Sequence, residues 1–162
     1  MEGIKKIAAM VILKSGSRYL LLKRGKAPNI GKYLPVGGRL EPYETPFECA
    51  IRETYEETGI RIEHPRFCGM LTESSPADYN WISYIYLADI DAIEAPFCEE
   101  GLLEWIDAEM LDKIDTPPTD LLIYQYVDKN LNFAFSAKYD NQLNLIEMWE
   151  EMTAKKVLPC QS

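Results

Sequence analysis

Glu44, Arg52, Glu53, Glu56 and Glu57 gather in one stretch, residues 37–60, GGRLEPYETPFECAIRETYEETGI. Clustered carboxylates offer hard oxygen donors, the ligand type that suits Mg²⁺ or Mn²⁺ and, through the metal, phosphate chemistry. Their positions depend on a helix. Thr45 and Glu48 have capping-box spacing, Pro46 suits the first helical position and Gly59 suits the stop, so a helix is predicted from Pro46 to Thr58. At about 100° per residue, Phe47, Ala50, Ile51, Thr54, Tyr55 and Thr58 fall on one side, and Glu53, Glu56 and Glu57 on the other. Carboxylates three and four apart repel by about 0.2–0.5 kcal/mol per pair, and a divalent cation among them would reverse that sign. Taken alone, such a face is more often solvated surface, and Arg52 has the helical spacing to pair with Glu48 and Glu56.

The longer pattern changes that balance. Gly38 is followed after five residues by Glu44, after seven more by Arg52-Glu53, then Glu56-Glu57 and Gly59-Ile60. This spacing resembles the Nudix box, in which nine positions are specified; eight match, and Thr54 stands where the family prefers Ile, Leu or Val. The preceding Tyr33-Leu34-Pro35-Val36-Gly37-Gly38 is similar to the family's aromatic, proline and two glycines, with Val36 inserted, and Tyr43 occupies a position often glycine in relatives. The resemblance implies an α/β (α+β) fold, an α/β/α sandwich with a central mixed β-sheet, and hydrolysis of a nucleoside diphosphate linked to another group. It also implies Mg²⁺, or Mn²⁺, held by the Gly37 carbonyl, Glu53, Glu56, Glu57 and an acid before a later strand, with Glu100 the candidate and Glu99 second. Glu53 or a neighbouring carboxylate would take the proton of water, Glu44 would orient the site, and Arg52 would hold the cluster in shape.

Composition sets outer bounds. The 162 residues, 47% hydrophobic, are expected to form one domain, residues 1–162. The net charge of −9 disfavours broad electrostatic binding of nucleic acid or anionic membrane, so a polyphosphate must be held locally, through metal and a few cations. The N-terminal apolar run is too short for a span and lacks a cleavage site, which points to the cytoplasm. Cys49, Cys68, Cys98 and Cys160 lack paired metal-ligand spacing and His64 is the sole histidine, so zinc and a Cys-His nucleophile are disfavoured and reduced thiols expected. Cys49, on the carboxylate face of the helix, could be reactive.

Along the chain, Ile7 to Leu13 and Arg18 to Lys23 read as a hairpin, and a basic loop from Lys23 to Lys32 follows. Arg66 to Ser74, Trp81 to Ile90 and Leu102 to Ile106 read as strands, with loop from Asp91 to Glu99 and a short helix from Asp107 to Lys113. Leu121 to Lys129 reads as an amphipathic helix started by a Thr119 cap. Residues 132–139 alternate with period two, Asp140-Asn141 suits a turn and Leu143 to Glu147 a returning strand; a helix from Gln142 to Lys155 is the alternative. The tail from Val157 to Ser162 is expected to fray.

By resemblance to nucleotide-cleaving members, Arg24 would contact substrate phosphates, the backbone at Gly38 would approach the ligand, and Tyr33, Trp105 and Asp120 would help form the base pocket. The leading reading is a MutT-like nucleoside triphosphate pyrophosphohydrolase releasing monophosphate and pyrophosphate, with an oxidised purine nucleotide such as 8-oxo-dGTP as one substrate. The alternatives are an ADP-ribose or nucleotide-sugar pyrophosphatase and a non-catalytic nucleotide-binding regulatory domain. The expected partner is a small nucleotide, with neither nucleic acid nor membrane, and the chain is expected to be a monomer or homodimer.

Overall fold

Alternating apolar residues of the first hairpin create the two faces on which everything else is laid. In the computed structural model, which describes residues 4–159, β1 (Lys6–Ser15) and β2 (Arg18–Arg24) pair antiparallel through the turn at Gly16. Short strands β3 (Tyr33–Leu34) and β4 (Val36–Arg39) lead to α1 (Pro46–Thr58). β5 (Arg66–Ser74), β6 (Trp81–Asp89), β7 (Phe97–Cys98) and β8 (Gly101–Asp107) follow, then a 3₁₀ turn at Ala108–Met110 and α2 (Pro118–Asp128). β9 (Phe133–Tyr139), β10 (Leu145–Glu150) and β11 (Lys155–Leu158) complete the order. The sheet runs β11-β10-β9-β5-β6-β1-β2-β8-β7, with β3 against β2 and β4 against β1. It is mixed: β1 lies parallel to β6 and β5 parallel to β9, while the other pairs are antiparallel.

Two apolar clusters occupy opposite faces. Ala9, Val11 and Leu13 of β1 pack with Leu20, Leu22, Val36 and the α1 residues Cys49 and Ala50. Ile12 points the other way, into a cluster with Tyr19, Leu21, Leu71, Phe135 and the α2 residues Ile123, Tyr124 and Val127. The period-two alternation of β1 thus assigns one helix to each side of the sheet and makes the α/β/α sandwich. Among the described residues no helix is long and apolar enough to cross a membrane.

Several local expectations need correction. The buried stripe of α1 is Cys49, Ala50, Thr54 and Thr58, whereas Phe47 and Tyr55 are exposed. Thr54 fits this dry face because its hydroxyl donates to the Ala50 carbonyl at 2.7 Å, one turn earlier. Residues 107–113 form only a 3₁₀ turn, and the expected loop at 91–99 contains β7. Helix α2 starts earlier, with Pro117 at the N-cap, Pro118 in the first turn and no side-chain cap, so Thr119 lies inside the helix. The third section is sheet: Leu145–Glu150 pairs with β9 and excludes the alternative helix. Val157 and Leu158 are not frayed but paired in β11, while residues 160–162 lie outside the described ones.

Candidate active site

The carboxylate stretch enters its helix through the capping box: Thr45 Oγ1 accepts from the Glu48 amide at 3.2 Å, and Glu48 Oε2 accepts from the Thr45 amide at 2.8 Å. The helix stops at Gly59, whose φ of 72° is left-handed and whose amide donates to the Tyr55 carbonyl. Glu48 is therefore spent on the cap, and Arg52 pairs elsewhere. Its Nε and Nη2 donate to Glu44 Oε1 and Oε2 at 2.7 and 2.9 Å, its Nη1 reaches Glu53 Oε1 at 2.8 Å and Glu56 Oε2 at 3.1 Å, and Nη2 also donates to the Arg39 carbonyl at 3.1 Å. This planar fork satisfies three carboxylates and a carbonyl at once, a geometry lysine cannot copy. Its hydrogen bonds to Glu44 hold that carboxyl down to about 2.

Glu53 and Glu57 face the strand β4. A Cβ on Gly38 would collide with the Glu53 carboxylate, and a Cβ on Gly37 with the backbone of Ala9. The Gly37 amide donates to Glu57 Oε2 at 2.9 Å. The double glycine thus lets two carboxylates lie against main chain. Burial pushes the Glu57 carboxyl up to about 7, helped by the charges of Glu53 and Glu100, and burial also raises Glu53. Glu56 is more open, its side chain 56% exposed. Tyr43, in the loop before the helix, adopts a left-handed φ of 68° with its ring in solvent, consistent with a position where glycine would be at ease.

Glu53, Glu56 and Glu57 line one groove with Cys98, Glu99 and Glu100. Glu100 sits in the β7–β8 turn, paired with Lys26 Nζ at 3.0 Å and within 4.0 Å of Arg24 Nη2. The donor set is all oxygen, which fits Mg²⁺ or Mn²⁺ better than a softer metal. Among the described residues no three acidic, histidine or cysteine side chains converge as a metal cage; Arg52 engages Glu53 and Glu56, and Lys26 engages Glu100. The groove nevertheless concentrates negative charge on a desolvated Glu57 that, among the described residues, forms no ion pair and feels only the more distant charge of Arg24, the electrostatic demand a divalent ion meets. Cys49 lies on the carboxylate face but beneath it, its Sγ donating to the Gly38 carbonyl at 3.5 Å; it is fully buried and burial pushes its thiol up to about 12, which corrects the expectation of a reactive thiol. Cys68 and Cys98 are likewise free and buried.

On the other side of the double glycine lies a cavity of about 250 Å³. Gly37, Gly38 and Arg24 border it, and so do Leu71, Glu73, Tyr79, Trp81, Thr119, Asp120 and Tyr139. The glycines border the cavity and also touch Glu57 and Glu53, which line the carboxylate groove. Arg24 is held at the rim by its Nε donating to the Pro28 carbonyl at 3.0 Å. Asp120 is 4% exposed, with Oδ2 unpartnered, and burial pushes its carboxyl up to about 7.

Two residues expected at the substrate lie elsewhere. Tyr33 donates from its hydroxyl to Glu104 Oε2 at 2.5 Å and packs on the core. Trp105 donates from Nε1 to the Ile93 carbonyl at 2.8 Å, carries the Arg18 guanidinium over its ring and packs beside the α1 cluster. Neither borders the cavity. Glu73, Tyr79, Trp81 and Tyr139 do, and the sequence reading passed over them. Glu73 could have been found, because it is a charged residue on the inward face of β5, two positions from buried Leu71.

A model of the NUDIX domain matches residues 4–126. The Nudix hydrolase YvcI of Bacillus subtilis is 28% identical over 123 residues, 73% of this chain and 76% of that protein. The NAD-capped RNA hydrolase NudC of Chromobacterium violaceum is 31% identical over 112 residues, 67% of this chain but only 41% of that protein. The crystal structure of the MutT protein of Bacillus halodurans shares the fold, with a TM-score of 0.79 covering 91% of this chain and 98% of that one at 22% identity. With the double glycine, the capped helix and its carboxylates in place, and the family model spanning most of the sequence, the chain belongs to the Nudix family of hydrolases.

Proposed function

We propose that this chain is a Mg²⁺-dependent pyrophosphohydrolase that cleaves a nucleoside triphosphate to monophosphate and pyrophosphate, with oxidised purine nucleotides such as 8-oxo-dGTP among its candidate substrates. The observation that carries this reading is the contact at the double glycine: Gly37 and Gly38 border a cavity with Arg24 and Asp120 and lie against Glu57 and Glu53 of the carboxylate groove. A base in the cavity would direct its phosphates across Gly37 and Gly38 toward the carboxylates. Mg²⁺ or Mn²⁺, held by Glu53, Glu56, Glu57, the Gly37 carbonyl and Glu100, would supply positive charge against the phosphate oxygens and acidify a water.

The chain's own groups have separate tasks. Glu53, desolvated against Gly38, takes the proton of the attacking water. Glu57 is fixed by the Gly37 amide, so its free oxygen is aimed rather than mobile. Arg52, clamped by Glu44, keeps Glu53 and Glu56 in register along the helix, and Glu44 acts through Arg52 rather than on substrate. Arg24 at the cavity rim meets the phosphates, and on substrate binding it leaves the long contact with Glu100. The same reading takes residues 1–162 as one catalytic unit of the cytoplasm, supported by a single sheet running from β11 to β7.

A pyrophosphate bond is also what an enzyme acting on ADP-ribose, a nucleotide sugar or an NAD cap must cut, and the similarity to NudC makes the dinucleotide class the second reading. A panel of nucleoside triphosphates, ADP-ribose, nucleotide sugars and NAD with Mg²⁺, with products identified by chromatography, separates them. Pyrophosphate from a triphosphate is the expected result. Cleavage confined to the dinucleotides selects the second reading, and no turnover of any member rejects both in favour of a binding domain.

A further inference from the structure

The basic loop after β2 is joined to the acidic turn before β8. Arg24 pairs with Gly101, the Gly25 amide donates to the Glu100 carbonyl at 2.9 Å, and a Cβ on Gly101 would run into the Lys23 carbonyl. This backbone joint sets two side chains face to face, Lys26 from the loop and Glu100 from the turn, with Lys26 Nζ 3.0 Å from Glu100 Oε1. Arg24 Nη2 stands 4.0 Å from Oε2 of the same carboxylate. Arg24 borders the cavity and Glu100 lines the carboxylate groove, so this cluster links residues of the one to residues of the other.

The cations around the groove are not equally free to move. Arg52 spends its guanidinium on Glu44, Glu53, Glu56 and the Arg39 carbonyl, and its side chain is 23% exposed. Arg24 turns its Nε to the carbonyls of Lys26 and Pro28. Lys26, among the described residues, donates one hydrogen bond, to Glu100, and its side chain is 58% exposed. An exposed ammonium on a flexible stem holds its partner weakly and re-aims at little cost. Both oxygens of Glu100 face these two cations. A carboxylate that gives an oxygen to a hard dication must release the ammonium from it, because the dication repels the ammonium at contact range.

Resting on the metal and phosphate reading above, we propose that Lys26 is a polyphosphate-binding residue that Glu100 holds in place and releases to the substrate when its carboxylate turns to the metal. One ion pair, Lys26 with Glu100, gives way to two, Glu100 with the metal and Lys26 with a phosphate. Arg24 and Lys26 then offer separate cations to a chain of phosphates, Arg24 from the cavity rim and Lys26 from the loop that follows it. The backbone joint need not move, since Gly25 and Gly101 keep Lys26 and Glu100 side by side. The exchange couples the two bindings, and by linkage the effect is mutual: metal favours polyphosphate and polyphosphate favours metal. Metal binding by itself, in contrast, must break an ion pair to reach Glu100.

Two calorimetric titrations of the full chain read the exchange without bond cleavage, one with Mn²⁺ alone and one with inorganic pyrophosphate at saturating Mg²⁺. Lys26→Gln should bind Mn²⁺ about 2- to 5-fold tighter than the unsubstituted protein and pyrophosphate about 10-fold more weakly. A lysine acting only as a nearby positive charge would shift both affinities in those directions, so the same substitution is repeated in Glu100→Gln. There the gain in Mn²⁺ affinity should vanish while the loss of pyrophosphate affinity persists, a split that shows the metal effect to run through the Glu100 carboxylate. Unchanged Mn²⁺ or pyrophosphate affinity in Lys26→Gln, or the same gain in Mn²⁺ affinity with and without the Glu100 carboxylate, overturns the inference. The function reading fails separately: this pattern without triphosphate hydrolysis keeps the inference and sinks that reading, and hydrolysis without the pattern does the reverse.

Discussion

Replacing Asp120 with asparagine changes one buried group and makes folding stability report on it. Burial, and then the charge of Glu73, push the Asp120 carboxyl from an ordinary 3.8 up to about 7, against smaller downward pulls from Thr119 and Lys32. The folded chain therefore keeps this proton to about pH 7, while the unfolded chain releases it near pH 4. Stability from this group is complete below the unfolded value and is lost as pH rises through the folded one. At about 1.4 kcal/mol per pH unit of displacement, the full penalty for the ionised form is about 4 kcal/mol. About 3 kcal/mol of it develops between pH 5 and 9. Asparagine cannot ionise and is nearly isosteric, so the variant should gain about 3 kcal/mol on the unsubstituted protein between those two pH values, read by urea unfolding at each. The other titrating groups are common to both proteins, so the difference isolates Asp120 and its coupling to Glu73. A stability difference that stays constant with pH to within about 0.5 kcal/mol would show that Asp120 ionises freely, and would refute the reasoning that it is buried without a partner.

The other predictions concern the helix and its glycine wall. Thr45→Ala removes the capping box and should cost about 1 kcal/mol in chemical denaturation; no measurable loss would mean the cap is redundant with the packing of Ala50 and Thr54. Gly37→Ala and Gly38→Ala should behave differently: a methyl at Gly37 meets the Ala9 backbone and should destabilise the fold by about 3 kcal/mol. A methyl at Gly38 meets the movable Glu53 carboxylate first, and should leave the melting temperature close to normal while lowering kcat at least tenfold. Arg52→Lys keeps the charge but loses the fork to Glu44, Glu53 and Glu56, and should lower kcat by about 10- to 100-fold with KM little changed; equal turnover would show that the fork does not organise the carboxylates.

How much of this was legible beforehand follows the range of the signals involved. The capped helix was readable because Thr45, Pro46, Glu48 and Gly59 act on neighbours in the chain, and the capping box and left-handed stop are both present. The first hairpin and strands β5, β6 and β8 were readable from β-branched and alternating apolar residues. Strand β4 was not, since Val36-Gly37-Gly38-Arg39 carries no alternation and becomes a strand only by pairing with β1. The helix face was misjudged at Phe47 and Tyr55, which the helical spacing groups with Ala50, Thr54 and Thr58, whereas the buried stripe is Cys49, Ala50, Thr54 and Thr58. The carboxylate cluster was legible in residues but not in partners: Glu44, eight positions before Arg52, is brought to it by the loop after β4. The cavity was least legible, because Glu73, Tyr79, Asp120 and Tyr139 meet only when β5, α2 and β9 are assembled. Trp105 is expected in the base pocket only by resemblance to nucleotide-cleaving members, and the pleat of β8 turns it toward Ile93 and Arg18.

Glu57 is the sharpest probe of the proposed role of the carboxylates in phosphoanhydride cleavage, because among the described residues its only protein hydrogen bond comes from the Gly37 amide. The decisive measurement is pyrophosphate release from a nucleoside triphosphate with Mg²⁺ by the unsubstituted chain and by Glu57→Gln, alongside their thermal unfolding. Stoichiometric monophosphate and pyrophosphate, with kcat reduced at least 100-fold in a variant that melts as the parent does, is the predicted result. Near-parental turnover by Glu57→Gln would contradict the central claim.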